Sequence, residues 1–428
     1  MMDAIPFAAM LVALLLGVPI AVALAGSGIL GIWLVKGDWN IVISVLKTAP
    51  LGAADYNLTT IPMFLLMAYF SSSSGLAHDL YTAASSWLSH LRGGLAIATV
   101  FACGIFGAMS GASVAAAAVM SKIAYPNMRR FGYSEVLAAG SVGVGATLDI
   151  LIPPSVPMVI YGIATQTSIG KLLIAGVFPG IVLGIFLIIC ITIWVTVNPS
   201  HAPKTQRVSW QERWSNLCRI WPSLLLIILV LVILYTGIAT PTEVGALGAA
   251  IAALIGIIMG RLTWRGIFDA VIETVRTSTM ILLIIIGANI FGYYMTMSRV
   301  PQEVVAAVSA MNINRWLIVI GITVGYFVIS MFMDEIPLLL LTLPVTFPLV
   351  TSIGFDPIWF GVLSILMVCM GLVFPPVGLV AFVVSATANV PLAKVFRGTS
   401  VLIIAIFLTI ALVMIFPQIA LWLPATMR

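Results

Sequence analysis

The residues able to do chemistry stand where the chain is otherwise most apolar. Asp149 lies within LDILIPPSVPMVIYG (148–162), together with Pro153, Pro154 and Pro157. Asp334 and Glu335 interrupt a second apolar tract at MFMDEIPL (331–338), and a second pair, Pro375-Pro376, follows in MGLVFPPVGLV (370–380). A proline lacks the backbone N–H and clashes with the preceding turn. A Pro-Pro pair in mid-span therefore leaves carbonyls without helical partners. In lipid such backbone survives only inside protein or beside a water-filled cavity. Freed carbonyls, hydroxyls and carboxylates are oxygen ligands of the kind hard cations take, sodium among them. An ionisable group at this depth marks a functional site. Asp334 is expected to couple to a cation or a substrate, or else to cap a helix, and Glu335 to face the mouth of the site. For Asp149 three roles stay open: cation ligand, half-helix cap or direct substrate contact. Glu243, in PTEVGALGAA (241–250), sits near the end of an apolar run and reads as structural.

Other chemistries find little support. His78, His90 and His201 fall at segment ends or in polar stretches, and no HExxH is present. Cys103, Cys190, Cys218 and Cys369 are far apart with no CxxC pair, which argues against a disulfide or metal framework. No nucleophile–base set is apparent, so an enzyme is not expected.

These residues must be positioned by membrane helices. The 428 residues are 62% hydrophobic and only 8% charged, against roughly 25% charged in a soluble domain. The apolar runs are too long and continuous for the alternating strands of an outer-membrane barrel. They fall near 5–35, 41–54, 61–77, 93–120, 135–164, 172–197, 221–238, 241–260, 277–297, 316–332, 336–353, 357–388 and 399–424. The first lacks a basic leader and reads as a mature span rather than a signal. The net charge of +5 reflects basic connections between spans, not nucleic-acid binding. Trp210, Trp214 and Trp221 read as interfacial anchors around the central polar stretch 198–219.

The chain repeats. GYSEVLAAGSVGVGATLDILIPPSVPMVIYGIAT begins at Gly132 and GFDPIWFGVLSILMVCMGLVFPPVGLVAFVVSAT at Gly354, an offset of 222. At that offset Pro126, Pro153, Pro154, Ala164 and Thr165 meet Pro348, Pro375, Pro376, Ala386 and Thr387 without a gap. The clusters Lys122/Arg129/Arg130, Lys204/Arg207/Arg213/Arg219, Arg261/Arg265/Arg276 and Lys394/Arg397 are expected on the cytoplasmic side. Counting crossings between them makes the two copies run in opposite directions, the inverted repeat of many secondary transporters. The expected fold is an all-α integral membrane protein with two inverted-topology repeats, residues 1–197 and 220–428, joined by a cytoplasmic linker at 198–219. Each holds a re-entrant helical hairpin (about 93–130 and 316–353) and a discontinuous helix (about 135–164 and 357–388). Both termini are expected in the periplasm. The tips Ser110–Ser113 and 333–337 would then face the breaks 145–155 and 371–376, giving two related cation sites. An organic anion fits between them, held by hairpin N–H groups and positive half-helix ends.

In these features the chain resembles the large membrane subunit of tripartite ATP-independent periplasmic (TRAP) transporters. The resemblance rests on TIPMFLLMAYFSSSSGLA, FGAMSGASVAAAAVM, ILIPPSVPMVIYGIATQTSIGKLLIAGVFPG, ANIFGYYMTMSRVPQEV, MDEIPLLLLTLPVTFPL and GFDPIWFGVLSILMVCMGLVFPPVGLVAFV, in that order along essentially the whole chain. It implies sodium-coupled, ATP-independent uptake of an organic acid, a carboxylate or sulfonate, across the bacterial inner membrane. It also implies an elevator mechanism, a small membrane subunit of about four helices, and a periplasmic substrate-binding protein. Two or more transported sodium ions are implied, held by Ser110, Ser113, Gly145 and Pro153 in one half and by Asp334, Gly371, Pro375 and Pro376 in the other. Substrate contacts are expected from Ser110, Gly111, Ser113, Asp149, Ser155 and Asp334. The chain departs from the family at Asp149, where glycine is usual, and at Phe374, where threonine is. The competing readings are an anion transporter that works without a binding protein, and an ion channel; the inverted repeat within one chain argues against the channel.

Overall fold

The computed structural model describes residues 4–203, 208–311 and 313–427; Lys204 and Arg207 lie outside them. The described chain is helical. It opens with α1 (Ala4–Leu15), α2 (Ile20–Lys36), the short α3 (Trp39–Thr48), α4 (Thr60–Ser73) and α5 (Leu76–Leu88). The first hairpin is α6 (Gly94–Ser110) and α7 (Ser113–Arg130), and the first discontinuous helix is α8 (Glu135–Ala146) and α9 (Val156–Thr165). Next come α10 (Ile169–Ala175), α11 (Val177–Val197), α12 (Trp210–Arg219), α13 (Trp221–Thr236), α14 (Pro241–Ile258), the 35-residue α15 (Trp264–Ser298) and α16 (Val300–Ala310). The second hairpin is α17 (Arg315–Ser330) and α18 (Glu335–Ser352), followed by α19 (Pro357–Gly371), α20 (Leu379–Ala388), α21 (Leu392–Ile415) and α22 (Gln418–Ala425). Among the described residues, five helical segments are long and apolar enough to span a bilayer, or up to seven if each bent pair is one span.

The offset of 222 recurs in the backbone. It carries both ends of α7, residues 113 and 130, onto both ends of α18, residues 335 and 352, and the start of α8 onto the start of α19. Pro153-Pro154 and Pro375-Pro376 are both cis. The halves exchange partners: α7 packs on α20 while α18 packs on α9, and α8 packs on α21 while α19 packs on α10. This reciprocity is what a two-fold relation between halves produces. Among the described residues no arm of one hairpin packs along an arm of the other, so the hairpins approach tip to tip.

Lipid offers no hydrophobic force to join helices, so close approach through small residues does that work. At the crossing of α8 and α21, a Cβ on Gly140 would lie 2.6 Å from the Gly398 carbonyl carbon. Gly28 likewise lets α2 approach the backbone of Phe291 in α15.

Three apolar runs resolve differently from their sequence reading. The run 5–35 is two helices, α1 and α2, because Gly17, with φ of 78°, and Pro19 turn the chain between them. The run 41–54 is the end of α3 and a 3-10 turn over Ala49–Ala54 with Pro50 in its first turn; Ile43, Leu46 and Leu51 are exposed. The run 61–77 bends by 64° between α4 and α5. There α5 meets α12, with Trp87 edge-on to Trp210 and Trp214 at 5.6 and 6.0 Å, and Asp79 of α5 pairs with Arg261. Glu243 is structural as read: it forms a capping box with Thr240.

Candidate functional site

Each hairpin tip lies against its own half's break. In the first half, Gly111 turns the tip with φ of 59°, and its carbonyl accepts from the Val156 N–H at 3.4 Å. A Cβ on Gly111 would stand 2.6 Å from the Pro154 carbonyl oxygen, so the approach requires glycine. Behind the break Thr147–Ile150 tightens into 3-10 helix, and Gly107 of α6 lets Asp149 pack directly on the arm. In the second half, Gly378 donates its N–H to the Met331 carbonyl at 3.4 Å, and Gly371 packs on Ser330. Thr399 of α21 donates to the Val373 carbonyl at 2.8 Å and so satisfies one acceptor freed at this break.

The two tips also touch each other. The Ser113 hydroxyl donates to Glu335 Oε2 at 3.0 Å. Nearby, Cys369 Sγ lies 3.5 Å from the Thr147 carbonyl oxygen. Both contacts join positions separated by 222 residues, so each residue meets its own counterpart and the pseudo-two-fold axis runs between them. Glu335 is only 5% exposed. It does not face the mouth, because its partner reaches it from the opposite tip.

The remaining expected residues divide into those brought to the tips and those that are not. Asp149 is 0% exposed, and neither carboxylate oxygen has a hydrogen-bond partner among the described residues; only the neighbouring Ile150 N–H turns towards it, short of hydrogen-bond geometry. It therefore caps no helix. The Ser110 hydroxyl is buried and unpartnered, as is Asp334 Oδ1. Asp334 occupies the N-cap position of α18 but makes no capping bond, and lies with Val377 and Leu379 on a cavity of about 580 Å³. Ser155 has a structural task, accepting from the Met158 N–H at 3.4 Å to cap α9. Gly145 stands back from the first tip, against Val100 and Cys103 of α6. Pro153 and Pro154 are buried, whereas Pro376 is exposed. Phe374 stacks edge-on to Phe327 at 5.1 Å. Among the described residues no group of three or more His, Cys, Asp or Glu is disposed to hold a metal ion; any cation here relies on carbonyls and hydroxyls as well.

Sequence reasoning missed the Ser113–Glu335 pairing, although the offset of 222 already made the two residues counterparts. It also missed Asn289 of α15. This residue lines two cavities, one of about 590 Å³ between α15 and α18 and one of about 330 Å³ between α15, α9 and the segment 52–58.

Comparison with known proteins agrees with this architecture. Residues 7–419 match the tripartite ATP-independent periplasmic transporter, DctM component. The chain is 34% identical over 401 residues to the C4-dicarboxylate TRAP transporter large permease protein DctM of Pseudomonas aeruginosa, covering 93% of this chain and 92% of that one. It is 31% identical over 424 residues to the ectoine TRAP transporter large permease protein TeaC of Halomonas elongata, covering 99% of each. It is 30% identical to the sialic acid TRAP transporter large permease protein SiaM of Vibrio cholerae over 87% of each. The YdaH transporter of Alcanivorax borkumensis, a crystal structure described as having an unusual topology, shares the fold with a TM-score of 0.63 at 13% identity, over 89% of this chain and 88% of that one.

Proposed function

Because the chain belongs to the tripartite ATP-independent periplasmic transporter family as a DctM component, we propose that it takes up an organic acid across the bacterial inner membrane in symport with sodium. It acts as the large permease beside a small membrane subunit and a periplasmic binding protein. The halves 1–197 and 220–428 are its two inverted repeats, and the linker 198–219 lies in the cytoplasm. The excess of Lys and Arg at the end where Arg129 and Lys394 flank Glu135 supports placing that end inside, and so both termini outside.

One observation carries the reading: two proline breaks and two hairpin tips converge on buried polar groups, of which Asp149, Asp334 Oδ1 and the Ser110 hydroxyl have no partner among the described residues. An isolated carboxylate at such depth costs several kcal/mol. A bound cation offsets that cost, and a solute docking beside it does so with part of the charge already neutralised. Binding of sodium and of solute thus support each other. The hairpins and discontinuous helices then move together against the scaffold built on α2, α4, α14 and α15. That is an elevator step, in which the tips change the side they face only when the charges between them are covered.

The test is uptake by proteoliposomes that hold the chain with its small subunit, given a candidate organic acid on the cognate binding protein. Accumulation that requires both an inward sodium gradient and the binding protein is the expected result. Accumulation unchanged when potassium replaces sodium rejects the coupling, and accumulation without the binding protein rejects the tripartite assignment.

A further inference from the structure

A slot of about 360 Å³ lies behind the first break, where the first hairpin unit meets α13. Its walls include Gly104 of α6, Leu148 and Ile152 of the break, Gly184 of α11, and Leu224 and Ile227 of α13. Every side chain on it is apolar. Glycine makes the room. A Cβ on Gly184 would meet nothing within 4 Å, and Gly104 lets Ile152 and Leu148 stand against α6. Ile181 and Ile185, also on the wall, are half-exposed. They belong to the stretch 169–197, which is long and apolar enough to span a bilayer. The slot therefore opens towards hydrocarbon. An apolar space of this kind holds no water, and left empty it forfeits dispersion contacts on every wall. The apolar filler that a bilayer supplies is an acyl chain. A further helix, about 10–12 Å across, does not enter a channel whose open width is that of the side chain Gly184 lacks.

One end of the slot is basic. Arg219 precedes Leu224 by five residues and Arg92 precedes Val100 by eight, about one and a half and two helical turns. The same end gathers both: a Cβ on Gly93 would stand 3.1 Å from Ile191 of α11, and α5 packs on α12 and α13. Both arginines are exposed, and neither forms an ion pair among the described residues. Trp221, exposed beside Arg219, sets the headgroup level there. We propose that the slot binds one acyl chain of an anionic phospholipid of the cytoplasmic leaflet, with its phosphate on Arg92 and Arg219. The leaflet and the consequence for transport rest on the reading above; the site itself does not. Leu148 and Ile152 bracket Asp149 in the chain, so the lipid keeps water from the back of the break that carries this carboxylate. It also changes shape as the hairpin unit slides past α13, which a fixed side chain cannot do.

The experiment is native mass spectrometry of the chain with its small subunit, released from vesicles of phosphatidylethanolamine alone or mixed with phosphatidylglycerol. One phosphatidylglycerol retained per complex is the expected result. Gly184→Leu fills the slot and should abolish retention, while its thermal midpoint in pure phosphatidylethanolamine does not fall. Arg92→Gln and Arg219→Gln should each raise the half-saturating share of phosphatidylglycerol about fivefold, the worth of one basic residue at an anionic surface. Retention unchanged by Gly184→Leu, or by the two arginine substitutions together, overturns the inference. A benzophenone on Ile185→Cys, with the four native cysteines replaced, should capture lipid; capture of the small subunit instead means that protein covers the slot, and overturns it too. In proteoliposomes Gly184→Leu should slow uptake several-fold without moving the half-saturating sodium concentration, and an unchanged rate removes the consequence for transport. Sodium-independent uptake by the unaltered complex sinks the symport reading and leaves the lipid site standing on its retention.

Discussion

In the first hairpin-and-break unit the carboxylate sits in the break and the tip is neutral; in the second the break is neutral and the tip is acidic. At the offset of 222, Asp149 corresponds to Gly371, Ala112 to Asp334, and Ser113 to Glu335. Exposure differs too. The first break is sealed around Pro153 and Pro154, whereas Pro376 of the second is exposed and Asp334 borders a cavity. The same backbone device therefore serves two unlike purposes. The first unit holds a charge inside packed protein, and the second presents its charge where a solute or an ion can arrive. Copies of a fold need not be copies of a site.

The largest effect that would test this contrast is expected from Asp149→Asn. A unit charge at contact distance is worth about 4 kcal/mol at an effective dielectric of 20, so the half-saturating sodium concentration for uptake should rise roughly tenfold or more. The thermal midpoint should not fall, because the replacement is isosteric and removes an unpartnered charge. Unchanged sodium dependence would mean that the sealed break takes no part in coupling. Next is the bridge between units. Ser113→Ala leaves Glu335 without its donor and should cost about 1.5–3 kcal/mol in denaturant unfolding, while Glu335→Gln keeps an acceptor and should cost less. Equal losses would show that the tips are held by something other than this bond. A smaller loss is expected from Phe374→Thr, which removes an aromatic contact worth about 0.5–1.5 kcal/mol. The new hydroxyl should also lower the half-saturating sodium concentration, and a rise instead would argue against a cation at the second break. The least perturbing comparison is thiol labelling after the four native cysteines are replaced. Pro376→Cys should react readily with a water-soluble maleimide and Ser155→Cys should not; equal labelling would remove the difference in exposure.

How legible was this from sequence? The hairpins and breaks were, because glycine, proline and hydroxyl residues announce them locally and the repeat tests each against its copy. The expected hairpin bounds of 93–130 and 316–353 match α6–α7 and α17–α18 to about a residue. The run 5–35 was harder, since Gly17 and Pro19 make a turn too short to interrupt its hydropathy. The bend between α4 and α5 was missed because a lone glycine, Gly75 with φ of 71°, makes it without a proline; beyond it α5 packs on the hairpin arm α6 as well as on α12. The role of Glu335 was misjudged for a different reason. Its surroundings are decided by a residue on the other tip, and local sequence reports nothing about what faces it.

The Ser113–Glu335 contact also bears on how such a chain arises. Were the halves identical and joined as a symmetric pair, the residue on the axis would face a copy of itself. Serine opposite serine is tolerable, whereas glutamate opposite glutamate sets two like charges together in a buried place. A serine that donates to a glutamate there requires two positions able to change separately, which a duplicated and fused gene supplies and a homodimer does not. The bond at the centre of the molecule is thus a mark of divergence after duplication, and reverting either residue to match its counterpart would return the centre to a self-facing pair.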